Sequence, residues 1–529
     1  MNFQSRWKGY CLAAILLVAL LSTAARPMVT AVPARKLSGV MPEFGDVQEF
    51  RISLDGQYVV YLADQTIDEV SDLYSVPLSG GVPVRIDSGV VDFAITPDSQ
   101  TLVYSRAVAT VTKVLYTMFR VPLAGPGDQK QVLVEDFGQG GYFQYLQFTP
   151  DSQHLVFVGP SEDLSFWQLQ SLSLVDSHEP SVRFPGPFAL YSSDEDRYEI
   201  SSDSRWVVYQ SRSQGEGLPA SLFLASVAGP VDQVVMLEES IFGLQVSADH
   251  QWLVYKTDQD HNGSYEVHSR PFQMSGETNY LCESDLYPET ISPDSQWVIC
   301  GNRSLVPMEG PASAVIPFDT AWLPAGYLPD GVKVTFSPDS QWLIYTISPW
   351  CSGPACTNNS LSVYAAPLQF PLVTPHKLNL VDENATSHYY EVTPDSRYLL
   401  YAVQSTHTLY RVPLDGTSSQ SQIVYSGEAD GSNFKSPAFT SDGQKLVTSI
   451  GNFTAFPPTS HIYQTPMEFT QWQIISTSHL PDHRVGEYLI LPNNLQVVYS
   501  GALDQSDVYE LYVASIADYA VYLPNIQSR

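Results

Sequence analysis

The sequence predicts an all-β fold, a β-propeller of about ten four-stranded blades in one ring, and three observations predict it. A ten-residue stretch, fullest as Phe336-Ser337-Pro338-Asp339-Ser340-Gln341-Trp342-Leu343-Ile344-Tyr345, returns in variant form from one end of the chain to the other. Its ten copies lie at 52–61, 95–104, 148–157, 200–209, 246–255, 291–300, 336–345, 392–401, 439–448 and 490–499. Their acidic anchors, Asp55, Asp98, Asp151, Asp203, Asp249, Asp294, Asp339, Asp395 and Asp442, with Asn493 in the last copy, are spaced by 43 to 56 residues. The flanking segments are β-branched and aromatic, and a period of that length in strand-like segments marks propeller blades. Two smaller rings are the alternative. No linker rich in Gly, Ser or Pro splits the repeats, and the unbroken spacing favours one ring.

Each element of a copy has its reason. A β-branched or aromatic residue closes the first strand, and Ser/Thr-Pro-Asp-Ser/Gly then makes a tight turn. Pro presets φ, the Asp oxygen bonds nearby backbone N–H groups, and the next residue tolerates an unusual φ. The second strand, as in Trp252-Leu253-Val254-Tyr255, is apolar at consecutive positions, as a strand covered on both faces must be. The third carries its own signature, Leu73-Tyr74-Ser75-Val76-Pro77-Leu78 or Leu409-Tyr410-Arg411-Val412-Pro413-Leu414, with Pro where no ladder donor is needed. A weaker fourth strand such as 82–87 completes the blade.

The Ser-Pro-Asp-Gly/Ser turn, the aromatic that closes the second strand and the Tyr-x-Val-Pro-Leu third strand together resemble the repeat of TolB-type propellers, over about 44–526. The resemblance implies a propeller like those of TolB and of prolyl-oligopeptidase and dipeptidyl-peptidase relatives. Such rings serve as binding platforms, accessory domains and enzyme gates, so the fold alone does not name the ligand. No Gly-x-Ser-x-Gly elbow is present, so the hydrolase domain that accompanies the propeller in those peptidases has no counterpart here.

Along the chain, Arg6 and Lys8 precede an apolar run, 11–21, and small residues 22–25, which reads as a secretory signal peptide over 1–25. A retained anchor is the alternative, but the run is shorter than the roughly 20 residues of an ordinary span. Residues 26–43 form an N-terminal segment, a candidate ring-closing strand, and 44–529 hold the repeats. The expected product is exported, whether periplasmic, cell-surface or extracellular, and monomeric, with no membrane span once the signal is cleaved. The chain has 56 acidic against 26 basic residues and a net charge of −30, which becomes −32 when Arg6 and Lys8 leave with the signal. Nucleic acid is excluded as a partner, because phosphate binding needs a basic face.

Five cysteines are present, and Cys11 lies in the leader. Cys351 and Cys356 bracket a Ser-Gly-Pro-Ala turn and suit a local disulfide in an oxidising compartment, leaving Cys282 and Cys300 for each other. Cys300 also stands in the register of the closing aromatic, where it can serve as a small buried hydrophobe. Three pairings are formally open.

In a propeller the loops joining the second strand to the third, and blade to blade, share one face, and the Asp turns lie on the other. The repeated Asp residues therefore read as structural, and the variable loops as the binding face. On that face Tyr142, Phe143, Tyr145, Tyr287, Tyr327, Tyr389 and Tyr390 stand just before first strands, where flat hydroxylated rings suit sugar rings or peptide side chains; packing between blades is their bland reading. Arg51, Gln147, Glu199, Gln245 and Glu391, four residues before the anchor, are candidates for a polar channel lining. Asp258, Asp260, Asn262 and Glu266 alternate before and after a glycine like half a calcium loop, but Ser269 stands where an EF-hand has its bidentate Glu, so a structural hairpin is the competing reading. Calcium is the cofactor this pattern would suit; a zinc site on the four cysteines is disfavoured, because no paired short-spacing motif is present. His479-Leu480-Pro481-Asp482-His483 has metal-like spacing, yet Pro481 opposes the helix that would align its imidazoles. No catalytic residues are assigned. The function expected is a non-catalytic platform for a protein, peptide or glycan; the alternatives are a propeller hydrolase or lyase on saccharides, or an accessory subunit of a separately encoded hydrolase.

Overall fold

Every Asp turn joins its two strands across five residues, from 53–57 in the first copy to 491–495 in the last. The computed structural model describes residues 34–516 other than 68, 110, 112–113, 136–145, 161–166, 176–180, 187–197, 213–219, 259–263, 285–289, 302, 320, 324–331, 348–361, 380–389, 404–405, 427–432, 453–458, 469–471, 477–479 and 481–482. Among these the protein is all β, with short 3-10 turns and no helix long and apolar enough to cross a membrane. The strands form eight antiparallel sheets of four and one of seven. The seven-stranded sheet is two four-strand units sharing Val235–Val246, a twelve-residue strand that ends the fourth unit and begins the fifth. It bends between them at Ser240, whose φ is 56°, where its ladders lose register.

The end of the succession uses the other end of the chain. Arg35–Lys36 pairs antiparallel with Glu510–Ser515 and supplies the outermost strand of the last unit. The Leu37 N–H donates to the Leu511 carbonyl at 2.7 Å, and Lys36 places its ammonium on the fully buried Glu510 carboxylate.

Why the second strands are apolar at consecutive positions is visible in the cores. In Tyr58–Ala63, Val59, Tyr61 and Ala63 pack toward the last unit with Leu491, Val498 and Leu511, whereas Val60 and Leu62 pack toward the second unit with Phe93, Leu102 and Tyr104. A period-two strand between two apolar neighbours must be apolar on both faces. Ten such clusters, each shared by consecutive units, run along the described chain, and the one joining the tenth unit to the first brings the succession back to its start.

Within a unit the closing aromatic meets its cross-strand partner. Tyr61 stacks on Tyr74 at 5.2 Å between ring centroids, Tyr104 on Phe119 at 5.3 Å, Tyr209 on Phe223 at 5.3 Å and Tyr401 on Tyr410 at 5.1 Å. In the sixth unit Cys300 takes that place and is bonded to Cys282 in the last strand of the fifth. Of the two readings of Cys300, the structure shows the bridged one. Cys351 and Cys356 lie outside the described residues.

Candidate binding face and the turn ring

The turn end of the molecule is built from one repeated set of hydrogen bonds. In each of eight turns the Asp Oδ1 accepts the hydroxyl of the Ser or Thr two residues earlier at 2.6 Å, as Asp339 does from Ser337. The same oxygen accepts the N–H two residues later, Gln341 at 3.0 Å in this turn, and the hydroxyl accepts the Trp342 N–H at 2.9 Å. Asp442 keeps the bond from the Gln444 N–H at 3.0 Å. Burial pushes the Asp249 carboxyl up, but the Ser247 hydroxyl and the Gln251 amide outweigh it and hold the group below the ordinary carboxylate value. For Asp442 the Thr440 hydroxyl comes first, then the Gln444 amide, with the same direction. In both, the carboxylate is held in its ionised form with its Oδ1 committed to the turn.

The residue after the Asp does something its local sequence does not announce. Ser99, Ser152, Ser204, Ser295, Ser340 and Ser396 are buried with φ between 55° and 64°, a left-handed conformation unfavourable for a residue with a Cβ. Each Oγ accepts the N–H of the Asp in the preceding turn: Asp55 to Ser99 at 3.1 Å, Asp98 to Ser152 at 3.0 Å, Asp151 to Ser204 at 3.0 Å, Asp249 to Ser295 at 3.2 Å, Asp294 to Ser340 at 3.0 Å and Asp339 to Ser396 at 3.0 Å. Elsewhere the link takes another form. His250 Nδ1 donates to the Ile200 carbonyl at 3.2 Å, and the Ser441 N–H donates to Asn494 Oδ1 at 2.9 Å. These bonds tie the first eight units in succession and the ninth to the tenth, and the signal for most of them in the sequence is Ser where a turn would take Gly.

The first strands carry a second set of ties. Arg51 donates to Glu49 at 2.8 Å and reaches Asp92 of the second unit at 3.3 Å, with its guanidinium 4.9 Å from the Phe93 ring centroid. Gln147 donates to the Tyr198 carbonyl at 3.3 Å, while the Tyr198 hydroxyl returns to the Val156 carbonyl at 2.9 Å. Glu391 lies near enough to Tyr488 to push that phenol up, after burial, and the Tyr488 hydroxyl donates to the Val447 carbonyl at 3.0 Å. Glu199 and Gln245 occupy the same register in the strands Tyr198–Ile200 and Val235–Val246. In a propeller the first strand of each blade borders the central channel. Of the polar side chains singled out there, Arg51 and Gln147 join one unit to the next.

The opposite end varies. The connection from second to third strand runs from three residues, 301–303, to fourteen, 348–361. Of the aromatic candidates for this face, Tyr390 opens the strand Tyr390–Val392, half-buried against the core formed by Ile344, Leu399 and Tyr401. Tyr142, Phe143, Tyr145, Tyr287, Tyr327 and Tyr389 lie outside the described residues, as do Asp260 and Asn262. Asp258 follows the strand Trp252–Thr257 and has a buried Oδ1 with no hydrogen-bond partner among the described residues; Glu266 opens the facing strand and accepts from the Thr257 hydroxyl at 3.5 Å. His479 and Asp482 are outside the described residues, whereas His483 meets a histidine of another strand, His461.

The chain is similar to TolB-type and prolyl oligopeptidase propellers. No family model matches the chain, and no curated protein matches it in sequence. Among solved structures, TolB from Acinetobacter baumannii shares 16% identity over 44% of this chain and 55% of its own, with a TM-score of 0.26. Prolyl oligopeptidase B from Galerina marginata shares 11% over 77% of this chain and 55% of its own, with a TM-score of 0.35. A eukaryotic initiation factor shares 13% over 74% of this chain and 90% of its own, with a TM-score of 0.43. The chain therefore spans little more than half the length of the first two.

Proposed function

We propose that this chain is an exported, non-catalytic binding platform that holds a protein, peptide or glycan on its variable loop face. The observation that carries the reading is the contrast between the two ends of the units. One end uses the same five-residue turn ten times and spends its carboxylates on that turn, while the other varies from three to fourteen residues. Loops on a rigid scaffold are free to take the shape a ligand requires. The bridge between Cys282 and Cys300 supports export, since such bonds persist in oxidising compartments. The reading includes calcium on the hairpin of Asp258 and Glu266 as an accessory to loop order, and a monomeric state.

The test is a glycan and peptide array probed with the secreted protein, with and without calcium, and followed by mass spectrometry of the arrayed compounds. Retention without chemical change supports the platform. Turnover of a retained compound overturns it in favour of an enzyme on saccharides or peptides. Retention that persists when the second-to-third-strand loops are shortened places the ligand elsewhere and overturns the loop-face assignment.

A further inference from the structure

His461 stands in Thr459–Pro466, the third strand of the ninth unit, and His483 directly precedes Arg484–Ile490, the first strand of the tenth. Ser460 fixes the two backbones against each other: its N–H donates to the His483 carbonyl at 3.2 Å and its Oγ accepts the Val485 N–H at 2.9 Å. The ring centroids are 3.9 Å apart and the two Nε2 atoms 2.6 Å apart. His461 Nδ1 lies 3.2 Å from the Ser476 carbonyl oxygen, and His483 Nδ1 lies 2.7 Å from that of Leu480. A carbonyl only accepts, so each Nδ1 carries a hydrogen, and in a neutral ring the lone pair is then on Nε2. Two lone pairs therefore crowd the same gap, each inclined to the line between the nitrogens, an arrangement that a positive centre shared by both rings stabilises.

We propose that His461 and His483 form a two-histidine site for one first-row transition ion of the zinc class, clamping the ninth unit to the tenth. An Nδ1–H held by a backbone carbonyl is the arrangement that orients a ligating imidazole and raises its basicity. Imidazole nitrogen selects zinc-like ions over calcium or magnesium. With Zn–N distances of roughly 2.0–2.1 Å, tetrahedral coordination places the nitrogens roughly 3.3 Å apart, so the two Nε2 atoms part by about 0.7 Å on binding. Among the described residues no third His, Cys, Asp or Glu joins the pair, so water or another exchangeable ligand fills the other positions. The acidic chain, with a net charge of −30, favours the approach of the cation.

The experiment titrates zinc chloride into the metal-free full chain by calorimetry, alongside His461→Gln and His483→Gln, with circular dichroism to check their folding. One zinc per chain is expected for the wild type, with affinity reduced at least tenfold in either variant and a thermal midpoint raised by zinc in the wild type alone. Should a variant not fold, diethyl pyrocarbonate labelling of the wild type, read by peptide mass spectrometry, decides: zinc protects both histidines and a chelator restores their labelling. The proposal is overturned if zinc does not bind one to one, if both folded variants bind as the wild type does, or if labelling ignores zinc. The last result would leave a proton-sharing pair.

Discussion

Replacing Ser340 separates the two demands on the residue after the turn Asp. Its Oγ accepts the Asp294 N–H at 3.0 Å, its side chain is 1% exposed, and its φ is 59°. Ser340→Ala keeps the left-handed backbone and removes the buried acceptor of the Asp294 amide, from a hydrogen bond partly shielded from water. The cost of an unsatisfied buried donor is about 1–3 kcal/mol, so a loss near 2 kcal/mol is expected. Ser340→Gly removes the same acceptor but also relieves about 1–2 kcal/mol of left-handed strain, partly cancelled by the extra freedom of Gly in the unfolded chain. Glycine should therefore be the milder change, by about 0.5–1 kcal/mol. The assay is hydrogen–deuterium exchange with peptide mass spectrometry, because a local opening is seen there without assuming that so long a chain unfolds in one step. In the alanine variant the peptide containing Asp294, one unit away from the substitution, should exchange about thirtyfold faster, the equivalent of about 2 kcal/mol. An unchanged Asp294 amide, or an alanine variant at least as stable as the glycine variant, would refute the reasoning that the serine is there to serve its neighbour.

Reduction of the bridge between Cys282 and Cys300, which are 18 residues apart, should cost about 3 kcal/mol by the loop-entropy estimate and loosen the boundary of the fifth and sixth units first, as exchange in peptides from 279–283 and 297–300 would show. The turn carboxylates Asp249 and Asp442 are held below their ordinary value when folded, so the unfolded chain takes up protons first as acid is added. Their stabilisation is full above the ordinary carboxylate range and is lost as the pH falls from about 4 through the folded values; urea midpoints measured across that range should drop, and less steeply for Asp442→Asn. If calcium sits on the 258–266 hairpin, a chelator should lower the melting temperature of the wild type and leave that of an Asp258→Ala, Asp260→Ala variant unmoved; an equal response would dismiss the ion.

The elements legible in the sequence are those whose causes are local. Pro338 and Asp339 write their turn within four residues, and Trp342 to Tyr345 declare a strand covered on both faces, so the repeated units and their all-β character follow from short stretches. The serine acceptors were hidden because each serves an amide 44 to 57 residues away in sequence. Ser340 alone reads as a residue that merely tolerates the turn. The histidine pair is hidden for the same reason: spacing sets His483 with His479, whereas its neighbour in space is His461, on a strand of the preceding unit. Arg51 was legible as polar and near the channel, but its ion pair with Asp92 depends on how two units meet. The residues of the proposed loop face follow no such repeat, since loops on a rigid scaffold vary independently of it.

The strand 235–246 bears on how this molecule can be cut or rearranged. Elsewhere among the described residues no strand is shared by consecutive units, and a cut between strands rather than within one is what circular permutation requires. Between the fourth and fifth units there is no such seam, because one run of backbone belongs to both ladders and a nick at Ile241 would unpair two sheets at once. Recombination that deletes, duplicates or exchanges a unit would therefore have to carry these two together, as a single heritable module of seven strands.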